Sequence, residues 1–181
     1  MKSEHVVIDN FLDKKDFEEI LNVIPVELAW GFNQNIADFD EIKVNALDYY
    51  LSHLFYGLNP RTDGGVDAYI PFAFSDKIGL MAPILQKLDP RFVMRIKANL
   101  FPNTPKIGEH NMHRDHAYHH CGALFSLNTC DGYTRLHDGT KINSVANRIV
   151  IFDAGEPHSS TSTTNQLARL NININFLGHG E

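Results

Sequence analysis

The spacing of hydrophobic residues differs between the two halves of the chain. In the first half, residues 13–24 predict an amphipathic helix, with Asp13 as its N-cap and Pro25 as its stop. Its apolar residues fall on one helical face: Phe17, Ile20, Leu21 and Ile24. We therefore expect this helix to pack one face against the rest of the domain.

Four further segments complete the first half. Residues 5–9, "HVVID", predict a short strand. Residues 44–55 and 75–88 predict two more helices, with Ser75 as the cap of the second. The turn-rich "GLNPRTDGGVD" at 57–67 predicts a surface loop.

Strand patterns dominate the second half. They cover residues 91–101, 122–130, 148–154 and 168–176, and 132–142 predicts a hairpin that turns at Asp138-Gly139. In the last strand two sets of residues alternate, Leu170, Ile172, Ile174 and Phe176 with Arg169, Asn171, Asn173 and Asn175. The first set predicts a packed face, whereas the second is either solvated or lines a wet cavity inside a barrel.

Helical patterns followed by strand patterns predict an α+β, mainly β fold, with N-terminal helices packed on one sheet of an antiparallel sheet or barrel. With 181 residues the chain predicts a single domain, 1–181. The helical support lies mostly in 1–90 and the strand-rich core mostly in 91–178. Neither βαβ alternation nor a glycine-rich phosphate loop occurs in the sequence.

The composition of the chain limits the classes of partner that we expect it to bind. A hydrophobic content of 43% is enough for a core, and a net charge of -6 argues against nucleic-acid binding. The two cysteines, Cys121 and Cys130, form no CxxC pair. The sequence has neither a signal peptide nor an apolar run of membrane-spanning length. We therefore predict a cytoplasmic protein without a membrane or nucleic-acid partner.

The stretch "EHNMHRDHAYHHCG" at 109–122 holds five of the ten histidines. Its "HRD" is not a kinase catalytic loop, because the required asparagine is replaced by His120 and the other kinase motifs are missing. A separate zinc site made of His116, His119 and His120 is one alternative for this cluster. His116 and Tyr118 are the residues best placed to contact a substrate.

The second alternative is a metal site that includes His113 and Asp115. His113 and Asp115 are two residues apart, so on a strand both side chains reach one cation from the same side. His158 follows a strongly apolar strand and can supply a third ligand. Two histidines and a carboxylate leave about three positions free on an octahedral ion, which suits non-haem Fe(II), although zinc enzymes use the same ligand types.

Arg169 favours iron over the other metals. It lies eleven residues after His158, on the polar face of the last strand. A guanidinium that points into a cavity needs an anionic partner and fits a carboxylate well. A 2-oxo acid that chelates iron and carries a distant carboxylate would span the metal and Arg169.

With these residues, the segment 91–176 resembles the Fe(II)/2-oxoglutarate-dependent oxygenases, in particular their prolyl-4-hydroxylase-like branch. The matching segments are "RIKANLFP", "HRD", "ALFSLN", "GYTRLHDGTKI", "RIVIFDAGEPHSS" and "ARLNINI". The resemblance implies a double-stranded β-helix (jelly roll) as the catalytic core. It implies Fe(II) bound by His113, Asp115 and His158, with Arg169 pairing with the far carboxylate of 2-oxoglutarate.

Further co-substrate contacts follow from the same resemblance. Ser126 stands where this branch often has a tyrosine that binds the far carboxylate, and Asn99 and Asn171 are the other candidates. The implied function is a dioxygenase that uses Fe(II), 2-oxoglutarate and O2 to hydroxylate a substrate, a peptidyl proline or a small molecule, with release of succinate and CO2. The alternatives are a non-catalytic cupin-like metal- or ligand-binding barrel and a metal-dependent isomerase or hydrolase.

Overall fold

The computed structural model describes residues 5–34, 49–63 and 66–179. The elements are, in chain order, β1 (Val6–Ile8), α1 (Lys14–Glu27), β2 (Gly31–Asn33), β3 (Tyr50–Asp63), β4 (Val66–Ala73), a 3-10 helix (Asp76–Met81), α2 (Ala82–Leu88), β5 (Phe92–Pro102), β6 (Cys121–Ser126), β7 (Tyr133–Leu136), β8 (Lys141–Asn143), β9 (Arg148–Asp153), β10 (His158–Ser160) and β11 (Ala168–Leu177).

Within these residues the strands form two antiparallel sheets. The larger has eight strands in the order β1-β9-β6-β11-β5-β3-β2, with β4 paired to β3, and the smaller has the order β10-β7-β8. Residues 109–113 run beside β10, through bridges from Glu109 to Thr161 and from His113 to His158. The prediction of a mainly β fold with antiparallel sheets is confirmed.

One face of the large sheet and the helices share a hydrophobic core. Ile20 and Ile24 of α1 are buried together with Phe125 of β6 and Ile172 of β11. Phe17 of α1 packs edge-on against Phe125, with 6.0 Å between the ring centroids. The alternation in β11 follows from this contact, because its apolar side chains face the helices.

The opposite face of the large sheet looks toward the small sheet. A second apolar cluster lies there and joins β6 and β9 to β7 and β8; its members are Leu124, Leu136, Ile142, Val150, Phe152 and Ala154. Beside this cluster, the polar sides of β5 and β11 line a cavity. The predicted cavity lining is therefore confirmed for Asn171 and Asn173, whereas Arg169 and Asn175 are buried and do not line the cavity.

Two predictions for the first half are wrong. Residues 50–55 form part of β3 rather than a helix, because backbone pairing with β5 overrides a pattern that also fits a helix, and 44–48 lie outside the described residues. The predicted loop 57–67 belongs largely to the β3–β4 hairpin, whose register runs from Tyr56 with Ala73 to Asp63 with Val66.

The other two helix predictions are confirmed with changes at their ends. Asp13 caps α1 by accepting a hydrogen bond from the backbone N–H of Asp16 at 3.0 Å. Pro25 lies inside the last turn and the helix continues to Glu27, because one missing backbone donor is tolerated so close to the end. Ser75 caps the second segment, which begins as a 3-10 helix and continues as α2.

The predicted hairpin at Asp138-Gly139 is confirmed between β7 and β8. Gly139 has φ +86°, which is a conformation that glycine adopts without strain. The described residues contain no helix that is both long enough and apolar enough to cross a membrane.

We expect Ile172→Ala to lower the free energy of unfolding by about 2–5 kcal/mol, because Ile172 is fully buried between the central strands and the helices. Leu167→Ala is the control, since Leu167 is 95% exposed at the start of the same strand, and its effect should stay within about 0.5 kcal/mol. Urea unfolding of both variants measures the difference. Equal effects would contradict the assignment of this face of β11 to the core.

Candidate metal centre

The cavity lies between the two sheets and has a volume of about 260 Å³. Its floor consists of neighbouring residues of β5 and β11 that face the same side, because every second residue of a strand points in the same direction. In the sheet register Lys97 lies opposite Asn173 and Asn99 opposite Asn171, and all four line the cavity. Arg95 and Phe101 line it too, but their register partners, Asn175 and Arg169, do not.

His113, Asp115 and His158 meet at one end of this cavity. Their candidate ligand atoms all lie within 4.8 Å of one another. His113 and His158 exchange two backbone hydrogen bonds of 2.9 Å, and the backbone N–H of Asp115 donates to the carbonyl of Ala154 at 3.1 Å. The three side chains are therefore held by backbone pairing between residues 113–115 and the segment around β10.

The two imidazoles are oriented by backbone carbonyls. Nδ1 of His158 donates to the carbonyl of Glu156 at 3.0 Å, and Nδ1 of His113 is 3.5 Å from the carbonyl of Asn111. A carbonyl only accepts, so Nδ1 carries the proton and the Nε2 lone pair is free to bind a cation. The ring of Phe152 packs against His158 at 5.0 Å between centroids and limits its rotation.

Both oxygens of Asp115 have a partner. Arg95 forms an ion pair with Oδ1 at 2.8 Å, and Nδ2 of Asn173 donates to Oδ2 at 3.2 Å. Burial alone would raise the pKa of Asp115, but the charge of Arg95 and the hydrogen bond from its guanidinium outweigh this effect, and the pKa lies well below its usual range. Asp115 is therefore an anion at neutral pH, as a metal ligand must be.

Burial, followed by the charge of His158, lowers the pKa of His113 below its ordinary value. His113 is therefore neutral near pH 7 and keeps a lone pair for a metal ion. Two imidazoles and one carboxylate on one side of a cavity form a donor set suited to a divalent transition metal.

Arg169 is buried, with 1% of its surface exposed. It donates to the Thr134 hydroxyl at 2.8 Å and to the Thr161 carbonyl at 3.3 Å, whereas its Nε lacks a partner. Burial lowers its pKa to about 10, so the guanidinium is still charged at neutral pH. Among the described residues no carboxylate pairs with it, which leaves a buried cation without a counter-charge.

The side chain of Arg169 packs closely against Phe101, Gly132 and Thr134. Its guanidinium carbon lies 5.6 Å from the centroid of the Phe101 ring. A Cβ on Gly132 would come within 2.7 Å of the Arg169 side chain, so only glycine fits there. Arg169 itself does not form part of the cavity wall, but Thr134 and Phe101, which contact it, do.

The three other predicted co-substrate residues lie on neighbouring strands. Asn99 and Asn171 line the cavity, and Nδ2 of Asn99 donates to Oδ1 of Asn171 at 2.9 Å. Oδ1 of Asn99 is buried without a partner. Ser126 is buried and pairs with Asn171 in the sheet register, but it does not contribute to the cavity wall.

The alternative zinc site is wrong. Among the described residues, His113, Asp115 and His158 form the only group of three or more potential ligands at this spacing. His119 pairs with Asp153. Nδ1 of the fully buried His120 contacts the carbonyl of Tyr118 at 2.8 Å.

His116 and Tyr118, predicted near the mouth, stack at 5.3 Å and line a second pocket of about 420 Å³. Most of its lining is apolar, and Arg95 borders both this pocket and the metal-ligand cavity. Three further residues of the cavity wall were not predicted from the sequence: Arg95, Lys97 and Thr134. The alternation in "RIKAN" was the available signal, because it puts Arg95 and Lys97 on the same face as Asn99.

The structure is similar to solved structures of 2-oxoglutarate-Fe(II) oxygenases. A family oxidoreductase from Burkholderia pseudomallei has a TM-score of 0.69 at 11% identity, covering 97% of this chain and 85% of that chain. A prolyl hydroxylase from Trichoplax adhaerens, solved with a peptide of hypoxia inducible factor, has a TM-score of 0.64 at 13% identity, covering 97% and 84%.

A third similar structure is the alpha-ketoglutarate-dependent epimerase SnoN from nogalamycin biosynthesis, with a TM-score of 0.61 at 12% identity, covering 98% of this chain and 79% of that chain. No protein-family model and no curated protein matches the sequence. At these identities the similarity establishes a shared fold, and it agrees at that level with the resemblance found in the sequence.

We expect added Co(II) to raise the melting temperature of the metal-free protein, and His113→Ala and Asp115→Asn to abolish most of this effect. Losing a ligand should weaken metal affinity by more than the roughly 10–100-fold that the loss of a supporting hydrogen bond costs. Calorimetric titration measures the affinity. His137→Ala is the control, because His137 is exposed and lies on the β7–β8 turn; if it weakened binding as much, the assignment would be wrong.

We also expect His110 to make the protein less stable in mild acid. Burial, and next the charge of Arg169, lower its pKa to about 4. Between pH 6.5 and 4 the unfolded chain binds a proton that the folded chain does not, so stability falls as the pH falls, by an amount on the order of 3 kcal/mol. His110→Gln should flatten the dependence of unfolding free energy on pH across this window, and an unchanged slope would contradict the prediction.

Proposed function

We propose that this chain is an Fe(II)- and 2-oxoglutarate-dependent dioxygenase that hydroxylates its substrate and releases succinate and CO2. The observation that carries the proposal is the pairing of two features in one cavity region. A two-histidine, one-carboxylate cluster lies at one end, and a buried guanidinium without a counter-charge lies near the other. The fold shared with 2-oxoglutarate-Fe(II) oxygenases supports it.

The donor set fits Fe(II). His113, Asp115 and His158 supply nitrogen and oxygen donors from one side, so an octahedral ion would keep about three positions for other ligands. Arg95 and Asn173 hold the two oxygens of Asp115, which fixes the carboxylate before a metal arrives.

The opposite end fits the far carboxylate of 2-oxoglutarate. Arg169 and Asn173, four residues apart on β11, are separated by roughly 13 Å along the strand. Arg169 and the Thr134 hydroxyl would bind the carboxylate, and the buried Nε of Arg169 would gain a partner. Asn99 and Asn171 lie between the two ends, where Oδ1 of Asn99 also lacks a partner. Ser126 stays a prediction for this site.

We also propose that the two facing sheets are a jelly roll. The large-sheet strands β9-β6-β11-β5 face a small sheet made of residues 109–113, β10, β7 and β8. In this arrangement the metal ligands and the arginine come from opposite sheets and face the space between them. The interior of the jelly roll would then be the catalytic core.

When bound together, Fe(II) and 2-oxoglutarate would supply an oxidant made from O2. The protein's own side chains contribute by holding the metal ligands and the co-substrate in place. Arg95 and Asn173 hold Asp115, Arg169 fixes the co-substrate, and Phe152 and Leu124 give part of the cavity an apolar wall. No residue is needed as a general base, since the chemistry belongs to the cofactors and the protein orients them.

The rival functions fit less well. A cupin-like barrel that only binds a metal or ligand does not need Arg169, whose buried charge is costly without an anion. A metal-dependent isomerase or hydrolase would use the triad but would also leave this cation without a partner. The Trichoplax adhaerens prolyl hydroxylase was solved with a peptide, so a peptidyl proline is one proposed substrate of this chain. A small molecule is the other proposed substrate.

A cytoplasmic location belongs to the same proposal. Cys121 and Cys130 are not joined in a disulfide, which is the usual state of cysteines in a reducing compartment.

We expect anaerobic addition of 2-oxoglutarate to the Fe(II) protein to give a weak visible charge-transfer band, and air to yield succinate. Arg169→Met should raise the dissociation constant for 2-oxoglutarate by about 10–100-fold, because a charge-assisted pair is lost, and Thr134→Val should raise it less. Lys106→Met, an exposed position, is the matched control. A protein that binds Fe(II) yet gives neither band nor succinate would not be this enzyme.

A further inference from the structure

The cavity carries more positive charge than the proposed co-substrate needs. Three cationic side chains, Arg95, Lys97 and Arg114, and one carboxylate, Asp115, line it. Arg95 is neutralised by Asp115 at 2.8 Å. A divalent metal ion and a 2-oxoglutarate dianion carry charges that cancel, so their binding leaves the positive surplus unchanged. One carboxylate of the dianion is assigned to Arg169 as its contact, and no anionic contact is assigned to the remaining two cations. Lys97 and Arg114 are left over.

Of these two, Lys97 belongs to the inner wall, because Arg114 is exposed. Lys97 is half-buried on β5, and its ammonium donates a hydrogen bond to the Tyr50 hydroxyl at 3.3 Å. The same ammonium lies 5.1 Å from the centroid of the Tyr50 ring. Among the described residues no carboxylate forms an ion pair with it, so two of its three donors are available.

Lys97 is charged under ordinary conditions. Burial, and next the charge of Arg95, lower its pKa to about 8, so most molecules carry the ammonium at pH 7. The lowered pKa shows that keeping the ammonium charged in this buried position is energetically unfavourable. An anion beside Lys97 would remove that cost.

The Tyr50 hydroxyl can add a second donor. An ammonium only donates, so the tyrosine oxygen is the acceptor in their hydrogen bond and its O–H remains free. The Tyr50 ring is fixed by stacking on Phe101, with 5.5 Å between centroids. Lys97 and Tyr50 together thus offer a charged donor and a neutral one from a rigid part of the wall.

The backbone positions of Lys97 and Arg169 are separate, although the Tyr50 ring stacks on Phe101, which Arg169 also contacts. Lys97 lies opposite Asn173, which contacts the metal ligand Asp115, whereas Arg169 lies opposite Phe101. The two positions are thus roughly 13 Å apart along the strands. A 2-oxoglutarate whose two carboxylates bind the metal and Arg169 would have no further carboxylate to offer to Lys97.

We propose that the substrate of this site is a small organic acid whose carboxylate is bound by Lys97 and Tyr50 beside the metal ligands. The proposal rests on the proposed function, because it assigns Arg169 to 2-oxoglutarate. A small acid is favoured over a peptide segment because the cavity, at about 260 Å³, lies below the ~300–1,000 Å³ of typical ligand pockets and also has to hold the co-substrate.

The test uses matched pairs of probes: N-acetyl-L-amino acids and the corresponding N-acetyl-L-amino acid amides. The members of each pair differ in one carboxylate, and the amide represents a residue inside a peptide. Binding to the anaerobic Fe(II) protein saturated with 2-oxoglutarate is measured by calorimetry. We expect at least one acid to bind about 10–100-fold more tightly than its amide.

Variants assign the preference to a residue. Lys97→Met should abolish the preference for the acid, Lys97→Arg should keep part of it, and Tyr50→Phe should reduce it by a smaller factor. The dissociation constant for 2-oxoglutarate, measured from the charge-transfer band, should change by less than about threefold in Lys97→Met, because Arg169 is intact. Arg114→Gln is the matched control for a general loss of positive charge and should keep the preference.

Three results would overturn the proposal: no acid binds better than its amide, the preference survives in Lys97→Met, or Arg114→Gln alone removes it. A large loss of 2-oxoglutarate affinity in Lys97→Met would instead assign Lys97 to the co-substrate and would also overturn it. Failure of the proposed function is a different result, absence of the 2-oxoglutarate band in the wild-type protein. The probe pairs would then be titrated into the Fe(II) protein alone, with the same outcomes deciding on the anion site.

Discussion

The central strand β11 has to satisfy two opposite environments at once. It pairs with β5 on one side and β6 on the other, so its register is fixed along its whole length. Its apolar side chains complete the core against the helices, whereas Asn171 and Asn173 on its other face line the cavity floor. A shift of one residue would exchange these faces and put Arg169 into the hydrophobic core. Packing on one face therefore positions the chemistry on the other.

Two residues of the large sheet also hold the metal ligand Asp115 in place. Asp115 comes from a segment outside the large sheet, yet its two oxygens contact Arg95 of β5 and Asn173 of β11. Backbone bridges between His113 and His158 fix the other two ligands. The triad is therefore held from both sheets, and Arg95 forms the boundary between this cavity and the apolar pocket beside His116 and Tyr118.

Sequence patterns predicted the second half well because its signals are local. The alternation in 168–176 and the turn at Asp138-Gly139 each follow from strand or turn geometry. The strand predicted to carry His113 and Asp115 is wrong, because His113 forms only an isolated bridge with His158 and Asp115 lies in a bend, although both side chains still reach the site. Residues 50–55 were predicted as a helix because their strand state depends on pairing with β5, far away in sequence. The ion pair of Arg95 with Asp115 depends on the same kind of long-range contact, so no local pattern predicts it.

The cavity wall has a positive charge, whereas the whole chain has a negative one. The protein carries a net charge of -6, but the cavity wall contains three cations against one carboxylate, and the buried Arg169 lies directly behind it. Inside a low-dielectric cavity such an excess is costly unless anions bind there. A chain with surplus carboxylates on its surface could have paired these cations internally, as it does for Arg135 with Glu109. That Lys97 and Arg169 have no such pairs among the described residues is what makes their charge available to ligands.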